Sequence, residues 1–322
     1  MPDSQRTTSP PRWLSMLRVI GWRLLQAIPT LLAISVLTFT IIRSAPGDPF
    51  ANDKAVREEV RAQLEEHFGF DQPRHKQYFR WLYRAVFEFD LGPSTKQTGF
   101  SVNEIIAQHF PASLELGLYS LLIALLVGIP TGVIAAVKRN TVIDYGAMTL
   151  AMLGICLPTF VLGPLLLLLF SIGLGWFNPL GWEDPSDRVL PCLTMGLFYA
   201  AYIARLARGG MLDILNQDFV RTARAKGLPA LQLVWKHTLK GGLLPVVNFL
   251  GPAFARIISG SFVIETIFFI PGLGRFFVTS AFNRDYNVIM GTVLFYAVLL
   301  ITLNLVADII QVLLNPRLRF DS

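Results

Sequence analysis

Six apolar stretches, each long enough to cross the roughly 30 Å hydrocarbon core of a bilayer, constrain this chain more than anything else in it. They cover residues 24–43, 113–137, 145–174, 190–207, 243–267 and 288–314. With 53% of its 322 residues hydrophobic and only 16% charged, the chain carries more apolar side chain than a soluble domain of that length could bury. Lipid is therefore part of its solvent, and the expectation is an all-α membrane protein of six transmembrane helices. The first run follows Arg12, Arg18 and Arg23 in the manner of a signal peptide. It is longer than a signal-peptide core, and Ser44-Ala45-Pro46 is a poor cleavage site, so it reads as an uncleaved span. The third run is long enough to be tilted or broken, and Pro158, Gly163 and Pro164 give it places to bend.

Lys and Arg concentrate in alternate loops: the amino-terminal segment 1–23, Lys138-Arg139, the stretch 205–240, and Arg317 with Arg319. The intervening loops carry less, with Glu183, Asp184, Asp187 and Arg188 in one and Arg275, Arg284 and Asp285 in another. That bias places both termini in the cytoplasm and the segment 44–110 outside. In the outer segment Val56, Val60, Leu64 and Phe68 recur at fourfold spacing, and Tyr78, Leu82 and Val86 mark a second helix after Pro73. Such a segment serves either as a cap packed on the membrane helices or as a contact for a protein that delivers solute. The first ten or so residues, rich in Ser, Thr and Pro, read as disordered.

Several function classes lack their signatures. The formal charge of +6 is spread between apolar runs and not gathered on one face, which argues against nucleic acid. Cys156 and Cys192 have no ligand-like neighbours, and His67, His75, His109 and His237 are scattered, so no disulfide or metal site is expected. No phosphate-binding Gly-x-x-x-x-Gly-Lys loop and no Gly-x-Ser-x-Gly elbow occur, so the chain is not expected to be an enzyme. Internal repeats are absent too.

The stretch 205–245 is the only long cytoplasmic loop, and it is not built like a disordered one. Asp218 to Lys226 are good helix formers, Gly227 supplies a carboxyl-terminal cap, and Pro229 starts a second helix. The product is a helix, a glycine turn and a helix, an elbow projecting from the membrane. Gly227 permits the sharp turn, the small Ala223 and Ala225 permit close approach, and Arg221, Arg224 and Lys226 present positive charge. Its partner is either an acidic surface on another protein or the headgroups of anionic lipid.

This loop resembles the coupling loop of permeases in ABC-type importers, which runs Glu-Ala-Ala, three residues, Gly, nine residues, then Ile-x-Leu-Pro. Ala223, Gly227 and Leu239 fall in register, whereas Arg221 stands for the Glu, Thr222 for the first Ala, His237 for the Ile and Lys240 for the Pro. The wording Val-Arg-Thr-Ala-Arg-Ala-Lys-Gly-Leu, from Val220 to Leu228, resembles the dipeptide, oligopeptide and nickel branch. Similar wording continues in Pro46-Gly47-Asp48-Pro49, Asp90-Leu91-Gly92, Gly128-Ile129-Pro130, Ala135-Ala136-Val137-Lys138-Arg139, Glu265-Thr266-Ile267-Phe268, Pro271-Gly272-Leu273-Gly274-Arg275, Arg284-Asp285-Tyr286 and Asn315-Pro316-Arg317.

The resemblance implies the first of two permease types in a bacterial cytoplasmic (inner) membrane, with the type I permease fold over 103–314 and a coupling loop at 208–240. It implies a second homologous permease, two ATP-binding subunits that use ATP and Mg, and an extracytoplasmic solute-binding protein, with no cofactor bound by this chain. Arg221, Thr222, Ala223, Lys226, Gly227, Leu228 and Leu239 would then couple the chain to its ATPases. The solute would be a di- or oligopeptide or a related small molecule, carried by alternating access. A self-sufficient secondary transporter or channel is the competing class, but it has no need of a helical dock.

Two charges fall inside the spans. Arg256 is near the middle of the fifth, where it either lines the translocation path or pairs with an acid on a neighbouring helix or on a partner subunit. Glu265 is near the outer end of the same span, before the turn Pro271-Gly272-Leu273-Gly274, which the resemblance implies is part of the outer gate. Alternatively Glu265 is an interfacial carboxylate held by Arg275. Asp144 and Asp308 are expected to reach water at the cytoplasmic ends of their spans.

Overall fold

The computed structural model describes residues 12–45, 63, 65–66, 68–97, 99–259 and 261–314. The series Val56, Val60 and Leu64, the motif from Pro46 to Pro49, the first ten residues, and Asn315-Pro316-Arg317 with Arg319 lie outside them. Among the described residues the chain is helical throughout, with a single isolated bridge between Pro93 and Ser101. Five helices are long and apolar enough to cross a membrane, and a bent pair makes a sixth span.

The first helix, α1 (Arg12–Ser44), lies along the last, α12 (Tyr286–Leu314). Beyond α1, helix α2 (Arg74–Tyr83) starts after Pro73, as expected, and runs on as a π-helical turn (Arg84–Glu88) that ends at left-handed Phe89. Trp81 of α2, Ile42 of α1, and Tyr286 and Met290 of α12 bury one another, so this segment caps the helices it sits on. Asp285 ties down the rest of the outer segment. Its carboxylate accepts from Ser94 Oγ and from the Thr95 N–H (3.2 Å), and also from the Val288 N–H (3.3 Å) at the start of α12.

α3 (Val102–Val137) begins at 102, not at the expected 113. A capping box explains the earlier start: Ser101 Oγ accepts from the Glu104 N–H (3.2 Å), and Glu104 accepts from the Ser101 N–H (2.8 Å). At 36 residues and about 1.5 Å each, α3 is longer than a bilayer is thick, so one end stands clear of it. The third span is broken, as its prolines suggest. α4 (Val142–Cys156) and α5 (Thr159–Leu166, continued as a π-helix over Leu167–Gly173) meet at 105°. Leu157 is extended because Pro158 crowds the helical conformation of the residue before it.

α6 (Val189–Leu215) packs closely across α3: a Cβ on Gly128 would stand 2.7 Å from the Ala200 carbonyl oxygen, and one on Gly132 would collide with the Ala204 carbonyl. Small residues on both helices let the backbones touch, which substitutes for the hydrophobic drive that lipid cannot supply. Contrary to the expectation of a loop from Arg205, α6 continues to Leu215. Arg208 is held on the helix by Asp144, and Gly210 fits against the Gly242 carbonyl and Pro245. Next come α7 (Asp218–Ala225), the composite helix α8 (230–242), α9 (Leu244–Ser259), α10 (Phe262–Ile267) and α11 (Leu273–Asn283).

Candidate coupling elbow and outer turn

Between α7 and α8 the chain makes the glycine turn that the sequence calls for. Gly227 has φ +77° with open space around its α-carbon. Its N–H donates to the Arg224 carbonyl (2.9 Å), and the Leu228 N–H donates to the Ala223 carbonyl (3.3 Å). These are the paired bonds of a Schellman motif, completed by contact of Leu228 with Val220 and Ala223. The next helix starts at Ala230, where the Leu233 N–H reaches back to the Pro229 carbonyl (3.0 Å).

The elbow has two faces. Val220, Ala223 and Leu233 are buried against Ile214 and Leu215 at the end of α6, while Val234 and Leu239 pack with Met211 of α6 and with Val133 and Ala136 of α3. Arg221, Thr222, Arg224, Lys226 and Gly227 are exposed. The residues singled out from the sequence thus divide: Ala223, Leu228 and Leu239 fasten the elbow to the span ends, and Arg221, Thr222, Lys226 and Gly227 form its free surface. Ala225, expected at a close approach, is exposed.

One fastening went unread in the sequence. Arg208 on α6 donates from Nε to Asp144 Oδ1 (2.6 Å) and from Nη2 to Oδ2 (2.8 Å), and the Asn140 N–H donates to the same carboxylate (2.9 Å). Asp144 is 1% exposed, so the expectation that it reaches water is wrong. The signal available was the pair of opposite charges at the ends of neighbouring spans. Asp308 pairs with Arg23 of α1 at 2.7 Å.

At the other end of the molecule Glu265 is fully buried. Oε1 accepts from Ser113 Oγ of α3 (2.7 Å) and from Ser261 Oγ, and Oε2 accepts from the Arg275 N–H (2.9 Å). Ser113 Oγ also accepts from the Leu273 N–H (2.9 Å), so one carboxylate and one hydroxyl tie the outer turn to α3. Gly272 and Gly274 are buried because a side chain would strike this knot: a Cβ on Gly272 would lie 2.8 Å from Ser113 Oγ, and one on Gly274 would lie 2.9 Å from Glu265 Oε2. Pro271 is exposed, and its carbonyl meets His109 Nδ1 at 2.9 Å. Arg275 holds Glu265 through its backbone, not as the expected ionic partner, and its guanidinium lies 4.6 Å from the Phe269 ring centroid.

Arg256 is exposed on α9, one turn from the equally exposed Pro252 and two from Asn248. Among the described residues no acid pairs with it, which removes the intrachain ion pair as its explanation. Arg256 and Glu265 therefore do not form one site: the first is open to whatever lies beside α9, the second is sealed.

Residues 128–320 match the family described as the binding-protein-dependent transport system inner membrane component, and residues 16–116 match its amino-terminal companion family. The chain belongs to this family of transport permeases. The permease is 41% identical over 307 residues to the oligopeptide transport system permease protein OppB of Salmonella typhimurium strain LT2, covering 95% of this chain and all of that one. It is 43% identical over 293 residues to the dipeptide transport system permease protein DppB of Bacillus subtilis strain 168, covering 91% of this chain and 95% of that one. Its fold is similar to a chain of the MetNI methionine ABC transporter in an inward-facing conformation, with a TM-score of 0.56 at 20% identity over 66% of this chain and 97% of the other. The permease is thus a multi-pass membrane subunit of the ABC importer type I fold, in the dipeptide, oligopeptide and nickel branch. These matches support the importer permease and not the competing class, a self-sufficient secondary transporter or channel.

Proposed function

We propose that the permease forms half of a pathway through which an ABC importer takes up di- or oligopeptides, and that the elbow is where a separate ATPase moves it. One observation carries this: the elbow's inner face is packed onto the ends of α3 and α6, while its cationic outer face, Arg221, Thr222, Arg224 and Lys226, is open. A push on the open face reaches two spans without being absorbed by a loose loop. The names of the relatives, oligopeptide and dipeptide permeases, support peptide as the solute.

In this scheme a second permease, two ATP-binding subunits and an extracytoplasmic solute-binding protein complete the assembly. ATP and Mg act in the ATP-binding subunits, and both termini of this chain lie in the cytoplasm. Arg256 faces the pathway and draws the carboxylate of a peptide. Pro271, Gly272 and Gly274 form the gate turn, and Glu265 acts by holding that turn, not by touching solute. Transport is by alternating access, each state stabilised by nucleotide or solute in turn.

The test is uptake of labelled peptide into vesicles containing the permease with and without its ATP-binding subunits. Uptake that needs both these subunits and ATP is expected. Accumulation by the permease alone would overturn the proposal.

A further inference from the structure

Outer helix α2 sits lower than its place between two spans suggests. Tyr78 Oη meets Ser35 Oγ of α1 at 2.8 Å in a buried contact, and the Tyr78 and Phe39 rings lie 5.4 Å apart. Ser35 precedes Ile42, near the outer limit of the first apolar run, by seven residues, which at 1.5 Å each is about 10 Å of depth. A tyrosine side chain spans only part of that distance. The backbone of α2 is therefore placed at the level of the outer headgroups and upper acyl chains, the depth at which amphipathic interfacial helices lie.

The outward face of α2 and its π-helical extension suits that depth. Phe79, Tyr83, Val86 and Phe87 follow one another at helical spacing, and Phe79 and Phe87 are 64% and 70% exposed. They continue the exposed surface of α1, where Leu37 and Ile41 are 60% and 67% exposed. α1 has no partner on that side among the described residues, and at the depth of a spanning helix acyl chains meet such a face.

Behind the aromatic face is a cleft of about 90 Å³, lined by Arg43, Arg80, Arg84, Phe70, Trp81 and Tyr286 among others. That is room for roughly half a dozen waters, or for one phosphate group. Arg84 is neutralised by Asp90, its Nη2 donating to Oδ2. Arg43 and Arg80 have no acid partner among the described residues. The Arg43 guanidinium stands 4.1 Å from the Phe70 ring centroid and 4.8 Å from that of Tyr286. Arg80 rests on Gly69, where a Cβ would come within 2.8 Å of Nη1. Gln77, also lining the cleft, has a buried Oε1 without a hydrogen-bond donor among the described residues.

We infer that the outer segment is a lipid-binding element: α2 lies in the outer leaflet with its aromatic face in the acyl chains, and the Arg43–Arg80 cleft takes the phosphate of a glycerophospholipid. Two uncompensated cations select an anionic group, the aromatic face supplies the site for its chains, and Gln77 Oε1 accepts from a headgroup hydroxyl. Free phosphate shares the charge chemistry but makes no use of the aromatic face.

The experiment uses the complete importer in lipid nanodiscs. Phe87→p-benzoylphenylalanine is irradiated with and without the solute-binding protein; a phospholipid adduct in both conditions is expected, and an adduct to polypeptide alone, or none, overturns the placement. Mass spectrometry of the released complex then compares retention of phosphatidylglycerol with that of a diacylglycerol bearing the same chains. Preferential retention of phosphatidylglycerol, about fivefold weaker in Arg80→Gln and largely restored in Arg80→Lys, is expected. Retention unchanged by Arg80→Gln, or displacement of the lipid by inorganic phosphate alone, rules out the cleft as a lipid site.

Discussion

Asp144 and Arg208 are joined at two points, Nε to Oδ1 at 2.6 Å and Nη2 to Oδ2 at 2.8 Å, although 64 positions separate them in the chain. The bond crosses from the start of α4 to α6, two turns before α6 ends at the elbow. A two-point guanidinium–carboxylate pair fixes orientation as well as distance. It clamps together the broken span and the helix that carries the elbow.

Asp144→Ala leaves the Arg208 side chain, 27% exposed, without its acid. The expected loss of stability is about 3 kcal/mol, because an uncompensated cation is worse than no pair at all. The double variant Asp144→Ala/Arg208→Met is expected to recover part of that loss, as a double-mutant cycle in thermal unfolding of the purified complex would register. Equal stability of Asp144→Ala and the parent would remove the clamp.

Gly227→Val forces a β-branched residue into φ +77°, costing about 2 kcal/mol locally. We expect ATP hydrolysis to persist while peptide uptake falls several-fold, since the elbow can no longer hold its angle. Gly227→Asn, which tolerates the left-handed conformation better, is expected to keep most coupling. Wild-type uptake per ATP hydrolysed in Gly227→Val counts against a lever at this turn.

Arg256→Ala removes an exposed charge without opening a cavity in this chain, so assembly is expected to be unaffected. Uptake of peptides with a free carboxyl terminus should fall about tenfold, and that of amidated peptides much less. Identical losses for the two peptide classes would refute carboxylate recognition.

Gly272→Ala places a methyl group against Ser113 Oγ and the Glu265 carboxylate. Glu265→Gln instead replaces one carboxylate oxygen by an N–H₂, which faces either the Arg275 N–H or the hydroxyls of Ser113 and Ser261. Each is expected to destabilise the outer turn by about 1–3 kcal/mol. Protease accessibility of the turn reports this directly. A turn as protected as in the parent would mean that the knot does not hold it.

What could be read from the sequence was whatever depends on the backbone properties of single residues. Gly227 marks a left-handed cap and Pro158 a break wherever they occur, so the elbow and the bent third span follow from local rules. Span number follows from apolar length. The clamp and the knot are of another kind. Glu265 has a donor from 113, another from 261 and a third from 275, and no periodicity of its own neighbourhood brings these together. A charge at the edge of an apolar run also reads as the start of a loop. Arg205 and Arg208 are nevertheless helical, because α6 continues past the apolar run and a buried acid waits for the second of them.

The corner at Leu157 and Pro158 interrupts the ladder of backbone hydrogen bonds after 15 residues of α4, about 22 Å from its start, and Cys156, Leu157 and Pro158 are all exposed there. Hydrocarbon offers nothing to a carbonyl without a donor, so irregular backbone survives at such depth only beside protein or water. A monomer adrift in pure lipid would leave that corner unsolvated. Association, or a water-filled vestibule, is therefore a condition of this polypeptide's stability in a membrane as well as of its work.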